Sequence, residues 1–239
     1  VTVNGTQYGM GRYPNAGKWL TVDSHSGDVS ITDADLNASV INWTNAEIVQ
    51  RKPNLFTINR NKITNHTNQT LIYNGNGDKP PSDKYGYFIQ NDIKTLDSFG
   101  EWYYNTGTST FYMYFGTSNP TDYVVQISSI TDLVIFTSGA NYITFDNFSF
   151  KGANHNALYL TSNNYITLQN CDIDFSGNNG IRGYVAEHFT AINNNINHSN
   201  NIGIFLNGWY VHYASISKNT IKNSGLIPGH VQSVFGSGC

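Results

Sequence analysis

The sequence predicts an all-β chain whose C-terminal half is a parallel β-solenoid of about 23–25 residues per coil. Three observations predict it. First, short lines recur: Asn141–Phe150, Asn164–Ile173, His188–Ile196 and Tyr213–Ile221, with equivalent positions Ile143, Ile166, Phe189 and Ala214 offset by 23, 23 and 25. Second, apolar and polar residues alternate inside each line, so each run has one buried face. Third, no window carries a helical i, i+3, i+4, i+7 stripe long enough for a crossover helix. Parallel strands without crossover helices imply a coil that rises one strand spacing, about 4.8 Å, per turn.

The columns set the register. Phe145, Leu168, Ala191 and Ile216 stack, as do Phe150, Ile173, Ile196 and Ile221. In the next strand Leu158, Ile181 and Ile204 stack, followed by Leu160, Gly183 and Leu206. Asn147, Asn170 and Asn193 recur beside these columns, where asparagine tolerates a bend and its amide can ladder along the stack. The line Asn164-Tyr-Ile-Thr-Leu-Gln-Asn-Cys-Asp-Ile173, with Gly177-Asn-Asn-Gly-Ile181, resembles a coil of the right-handed parallel β-helix proteins, the pectate-lyase-like group. The resemblance covers residues 124–239. It implies a fold more than an activity, because such coils serve lyases, hydrolases, esterases and tail-spike adhesins.

Residues 1–120 read as a β-rich, sandwich-like module, and residues 121–239 as the helix, cut off at its C-terminal end. Asn4-Gly5 between β-prone residues signals a hairpin. Runs at Lys18–Asp23, Val29–Ile31, Glu47–Val49, Phe56–Ile58 and Thr70–Tyr73 predict strands, and Asn74–Pro81 a turn-rich loop. Thr32–Asp35 suits a capped helical turn, and Asp92–Leu96 a short helix. Glu101–Asn105 and Thr110–Phe115 alternate around a Thr-Gly-Thr turn and predict a hairpin; Asn119-Pro-Thr-Asp122 punctuates the boundary. The Val3-Asn-Gly and Arg12-Tyr-Pro-Asn segments and this hairpin resemble a module inserted in large secreted bacterial β-helix proteins of glycosidase type. Val1 starts in mid-strand style and Cys239 follows Gly236-Ser-Gly238, which suggests a piece of a longer chain. Neither a signal peptide nor a transmembrane run is visible.

The 239 residues carry a net charge of -3, and only 12% are charged, so no basic stripe argues for nucleic acid. Sixteen Tyr and 22 Gly give a neutral polar surface suited to a secreted or cell-surface protein that handles a polysaccharide or other glycan, although a turn-rich solenoid needs such residues anyway. Two cysteines make no disulfide framework, and Cys171 beside the buried columns reads as a small core residue. Sequons at Asn4, Asn37, Asn42, Asn65, Asn68, Asn147 and Asn197 arise readily in so Asn-rich a chain; the last two fall inside the packed repeat, and the expectation is an unglycosylated bacterial protein.

No metal-ligand spacing, phosphate loop or catalytic triad is visible, and neither a metal nor a cofactor is expected. The repeat itself supplies the candidate site. Tyr159, Arg182 and Phe205 form an outward column, beside Thr161, Tyr184 and Asn207, with Trp209 and Tyr210 just beyond. Flat aromatics and a planar guanidinium suit sugar rings, and equally a ladder that only stabilises the sheet. A second column holds Lys151, Asp174, Asn197 and Lys222. Asp174 between basic neighbours should stay ionised, as a nucleophile or base would, or as a surface ion pair would. Glycoside hydrolysis uses two carboxylates roughly 5–10 Å apart, and Asp174 with Glu187 is the best pair available. The functional expectation is a glycoside hydrolase acting on a polysaccharide. The alternatives are a non-catalytic adhesin or structural β-helix, and a polysaccharide lyase, which lacks its usual carboxylate cluster for Ca²⁺ here.

Overall fold

A computed structural model describes residues 1–53, 57–75 and 80–231. Phe56, the middle of the Asn74–Pro81 loop and the end from 232 to Cys239 lie outside the described residues. The chain divides into two compact units, Val3–Val124 and Val125–Val231, the second also holding Val1–Thr2.

The first unit is antiparallel. Eight strands form one hydrogen-bonded sheet, in which Gly86–Gln90 pairs Glu47–Arg51, Glu47–Arg51 pairs Ile58–Thr67, and Ile58–Thr67 pairs Thr70–Tyr73. A register shift between Ile63 and Asn65 bends the long strand, as bulges do. Ile31 and Leu71 from one half and Ile48, Tyr87 and Ile89 from the other enclose a common core with Trp43. Both halves belong to the one hydrogen-bonded sheet and share that core. Tyr87 is buried and donates to Asp33 at 2.6 Å, and burial drives its phenol far above its ordinary pKa. The predicted hairpin forms as Trp102–Asn105 with Thr110–Met113, and the short helix as a single turn, Ile93–Thr95, capped by Asp92. Thr32–Asp35 makes a hydrogen-bonded turn, not a helical one, because Thr32 is already held in a strand, Ser30–Thr32.

The second unit is a parallel β-helix of four coils and three sheets among the described residues. Sheet A stacks Val134–Phe136, Leu158–Asn164, Ile181–Glu187 and Ile204–Asn207. Sheet B stacks Ile143–Asp146, Ile166–Gln169, Thr190–Ile192 and Ser215–Ser217. Sheet C stacks Ser149–Lys151, Asp172–Ser176, Asn195–Ser199 and Thr220–Lys222. The apolar columns read from the sequence are the register: Phe145 pairs Leu168, Leu168 pairs Ala191, and Ala191 pairs Ile216. Their inward side chains form one core, with Leu158, Leu160, Ile166, Leu168, Ile173 and Ile181 fully buried. Cys171 lies in it as a free, buried thiol. Each such aliphatic side chain contributes about 1.5–3 kcal/mol by leaving water. A Cβ at Gly183 would sit 2.6 Å from Leu206 Cδ2, so a larger residue there would make the leucine shift.

The corners repeat as faithfully as the strands. Left-handed residues turn the chain at Tyr142, Tyr165, His188 and Tyr213, each preceded in the same corner by a second one at Gly139, Ser162, Val185 or Gly208; again at Asn147, Asn170, Asn193 and Lys218; and again at Gly152, Phe175, His198 and Asn223. Asparagine adopts this conformation more readily than other side chains. Its amide also satisfies the neighbouring coil: Asn193 Nδ2 donates to Asn170 Oδ1 at 2.7 Å, and Asn170 Nδ2 to Asp146 Oδ1 at 2.7 Å. Gln169 Nε2 donates to the other Asp146 oxygen at 2.9 Å.

These amides hold the Asp146 carboxyl below its ordinary value of 3.8. The stabilisation they add is present above that ordinary pKa and fades as pH falls through the lower folded value. A carbon-detected NMR titration should therefore find Asp146 below 3.8, returning toward 3.8 in Asn170→Ala. Ile181→Asp would bury an unpaired charge between Leu158 and Ile204, costing on the order of 4 kcal/mol or more. Thermal melts should show a severe loss, whereas an unchanged melt would contradict the register.

Candidate functional site

Sheet A carries the predicted sugar-facing column. Ile135 pairs Tyr159, Tyr159 pairs Arg182, and Arg182 pairs Phe205, so these side chains stand one above the other on the outer face. The Arg182 guanidinium lies 4.3 Å from the centre of the Phe205 ring. Laid flat on a ring, a guanidinium keeps its N–H groups directed outward in its own plane. Tyr184 occupies the adjacent column between Thr161 and Asn207 and is 46% exposed. Trp209 follows the last strand of sheet A at 89% exposure.

The two predicted carboxylates stand elsewhere. Asp174 is on sheet C in the second coil, in register with Lys151 and Asn197. Glu187 ends a strand of sheet A in the third coil, in register with Asn164. The structure does not bring them into one facing pair, because strand Ile181–Glu187 runs between them along the coil and they sit on different sheets. Asp174 also has a partner that the sequence reading passed over. Its Oδ1 accepts from the Phe175 backbone N–H at 2.9 Å and lies 2.8 Å from His198 Nδ1. A carboxylate only accepts, so Nδ1 carries the imidazole proton. The His198 ring stacks on Phe175 at 4.9 Å and 7°. Its side-chain partner is thus His198, not the lysines of its column.

A ring ladder was also missed. Tyr142, Tyr165, His188 and Tyr213 stack face to face at 4.7, 4.4 and 4.7 Å. Its signal was present in the sequence, as an aromatic residue at the head of each repeated line. A further polar chain links Asn201 Nδ2 to Asn178 Oδ1, Asn178 Nδ2 to His155 Nε2, and His155 Nδ1 to Asp132 at 3.2 Å. Among the described residues, no three His, Cys, Asp or Glu side chains gather as metal ligands would. No described helix is long and apolar enough to cross a membrane.

Three parallel sheets wound around one core, with left-handed residues recurring at each corner, make a right-handed parallel β-helix. Residues 132–232 match the family model described as "Right handed beta helix region". A solved structure titled "Glycoside hydrolase" superposes with a TM-score of 0.69 at 13% sequence identity, covering 82% of this chain and 46% of that one. The Gp54 tailspike of Acinetobacter baumannii bacteriophage AP22, in complex with A. baumannii capsular saccharide, aligns with a TM-score of 0.28 at 11% identity, covering 90% of this chain and 34% of that one. The chain therefore spans less than half the length of either. No curated protein matches its sequence.

His198→Ala would remove both the stack on Phe175 and the partner of Asp174. We expect a loss of about 1 kcal/mol, read as a lowered melting temperature. Asp174→Asn should cost less, since its amide oxygen still accepts from the Phe175 N–H. The reverse order would show that the ring stack contributes little.

Proposed function

We propose that this is a secreted carbohydrate-active protein that holds a polysaccharide on the outer face of sheet A and acts as a glycoside hydrolase. The observation that carries the reading is the Arg182 guanidinium lying on the Phe205 ring, between Tyr159 and exposed Tyr184. Planar groups follow one another there on three successive coils, Tyr159, Arg182 and Phe205, at about 4.8 Å, which is close to the length of one sugar residue. A chain laid along the coil axis then meets one such group per sugar, with Arg182 donating to its hydroxyls. The likeness in fold to a solved glycoside hydrolase supports the hydrolytic reading. So does Glu187, the carboxylate that shares the platform's sheet. Asp174, tied to His198 on sheet C, is the weaker catalytic candidate. A non-catalytic adhesin would use the same platform without turnover.

Arg182→Ala combined with Phe205→Ala should weaken polysaccharide binding tenfold or more, about 1.4 kcal/mol, with little change in melting temperature. Affinity electrophoresis in polysaccharide gels reads the binding, and a reducing-end assay reads turnover. Glu187→Gln should abolish turnover and keep binding, whereas Asp174→Asn should keep both. Binding without turnover in the parent protein would favour the adhesin, and absence of both would remove the carbohydrate reading.

A further inference from the structure

The antiparallel sheet of the first unit has a second face. Side chains alternate along a strand, so Ile48 turns into the Trp43 core while Glu47, Val49 and Arg51 turn away from it. The register sets their neighbours on that same face. Arg60 stands opposite Val49 and Lys62 opposite Glu47. On the other side Phe88 stands opposite Val49 and Gln90 opposite Glu47, and Arg12 pairs Gln90. Val49, Ile58 and Phe88 form a small core here, with Trp19 packed against it.

Cations gather over this core. The Arg12 guanidinium lies 3.6 Å from the centre of the Phe88 ring and 5.3 Å from that of Trp19, and the Arg51 guanidinium lies 4.8 Å from Trp19. Three of the chain's four arginines therefore share one face with Lys62. Arg12 is spent internally, since it donates to the Pro14 and Lys18 carbonyls and faces Glu101. Glu47 is shared as well: Arg60 Nε lies 3.5 Å from its Oε2, and Gln90 and Asn91 donate to it. Arg51 and Lys62 are exposed and, among the described residues, form no ion pair. Covering Val49 and Phe88 needs only aliphatic stems, which the chain's nine lysines could supply as well as its four arginines. Like charges side by side on a sheet also repel. What arginine adds is a planar fork of N–H donors that fits an acid group, and contact with Trp19 limits where the Arg51 fork points.

We infer that this face docks the acid groups of an anionic polysaccharide, with Arg51 and Arg60 as the forked contacts and Lys62 as a further cation. The inference rests on the carbohydrate reading above but not on the sheet A platform, which belongs to the other unit. Charge complementarity sets the sign of the ligand, and the buried apolar groups set its class. Val49, Ile58 and Phe88 lie beneath the charged side chains, so the face offers a protein partner none of the apolar pockets that anchor protein interfaces. A hydrophilic polymer of acidic sugars needs none. The chain's net charge of -3 repels such a polymer, so attraction has to come from a local cluster of this kind.

The test is affinity electrophoresis of the intact protein in gels containing alginate, whose acid groups are carboxylates, carrageenan, whose acid groups are sulfates, or neutral dextran. At least one acidic polymer should retard the parent, and about 0.5 M salt should remove most of that retardation. Arg51→Gln, which breaks no ion pair, should weaken the binding threefold or more with an unchanged melting temperature. Arg51→Gln with Arg60→Gln should weaken it tenfold or more. Arg51→Lys keeps the charge and loses the fork, and should recover less than half of the Arg51→Gln loss. Equal retardation by polyglutamate would overturn the inference, because the face would then read charge alone. So would salt-sensitive binding that Arg182→Ala with Phe205→Ala abolishes and the Arg51 and Arg60 variants leave intact. If neither acidic polymer retards the parent while dextran does so through Arg182 and Phe205, this inference is wrong and the platform stands.

Discussion

The backbone hydrogen bond between parallel coils is the constraint on which the β-helix depends. It fixes the rise at about 4.8 Å and forces each residue to stand on its counterpart in the coil below. Every side-chain choice then becomes a choice about a column. Inside, aliphatic residues satisfy the column by packing, and Gly183 yields to Leu206 where two branched side chains would collide. At the corners, residues satisfy it by stacking or by relaying hydrogen bonds. Two amide chains end on carboxylates, at Asp146 and Asp132, where a final donor needs an acceptor with lone pairs to spare.

This constraint explains which parts of the molecule were legible in the sequence. Columns of one residue type, such as Phe150, Ile173, Ile196 and Ile221, announce both period and register, and the structure pairs them as read. The sandwich-like module was legible as strands, because runs such as Thr70–Tyr73 carry the alternation of a half-buried face. Its sheet order was not, since antiparallel pairing across distant segments leaves no period in the chain. Within the site, Tyr159, Arg182 and Phe205 were legible because one period separates them. The partnership of Asp174 with His198 was not, because it runs diagonally, from one column to the next across two coils. Asp174 and Glu187 lie on neighbouring coils, yet a coil carries them onto different sheets, C and A.

The same constraint governs where aromatic groups are free to bind anything. In a regular coil a flat ring spends its faces on the rings above and below. Tyr165 lies between Tyr142 and His188, and His188 between Tyr165 and Tyr213, at separations that admit nothing else. Such a ladder stabilises the corner and offers a ligand chiefly its edges. Phe205 likewise gives one face to Arg182. A regular repeat therefore commits its ring faces to itself and leaves mainly ring edges at its surface.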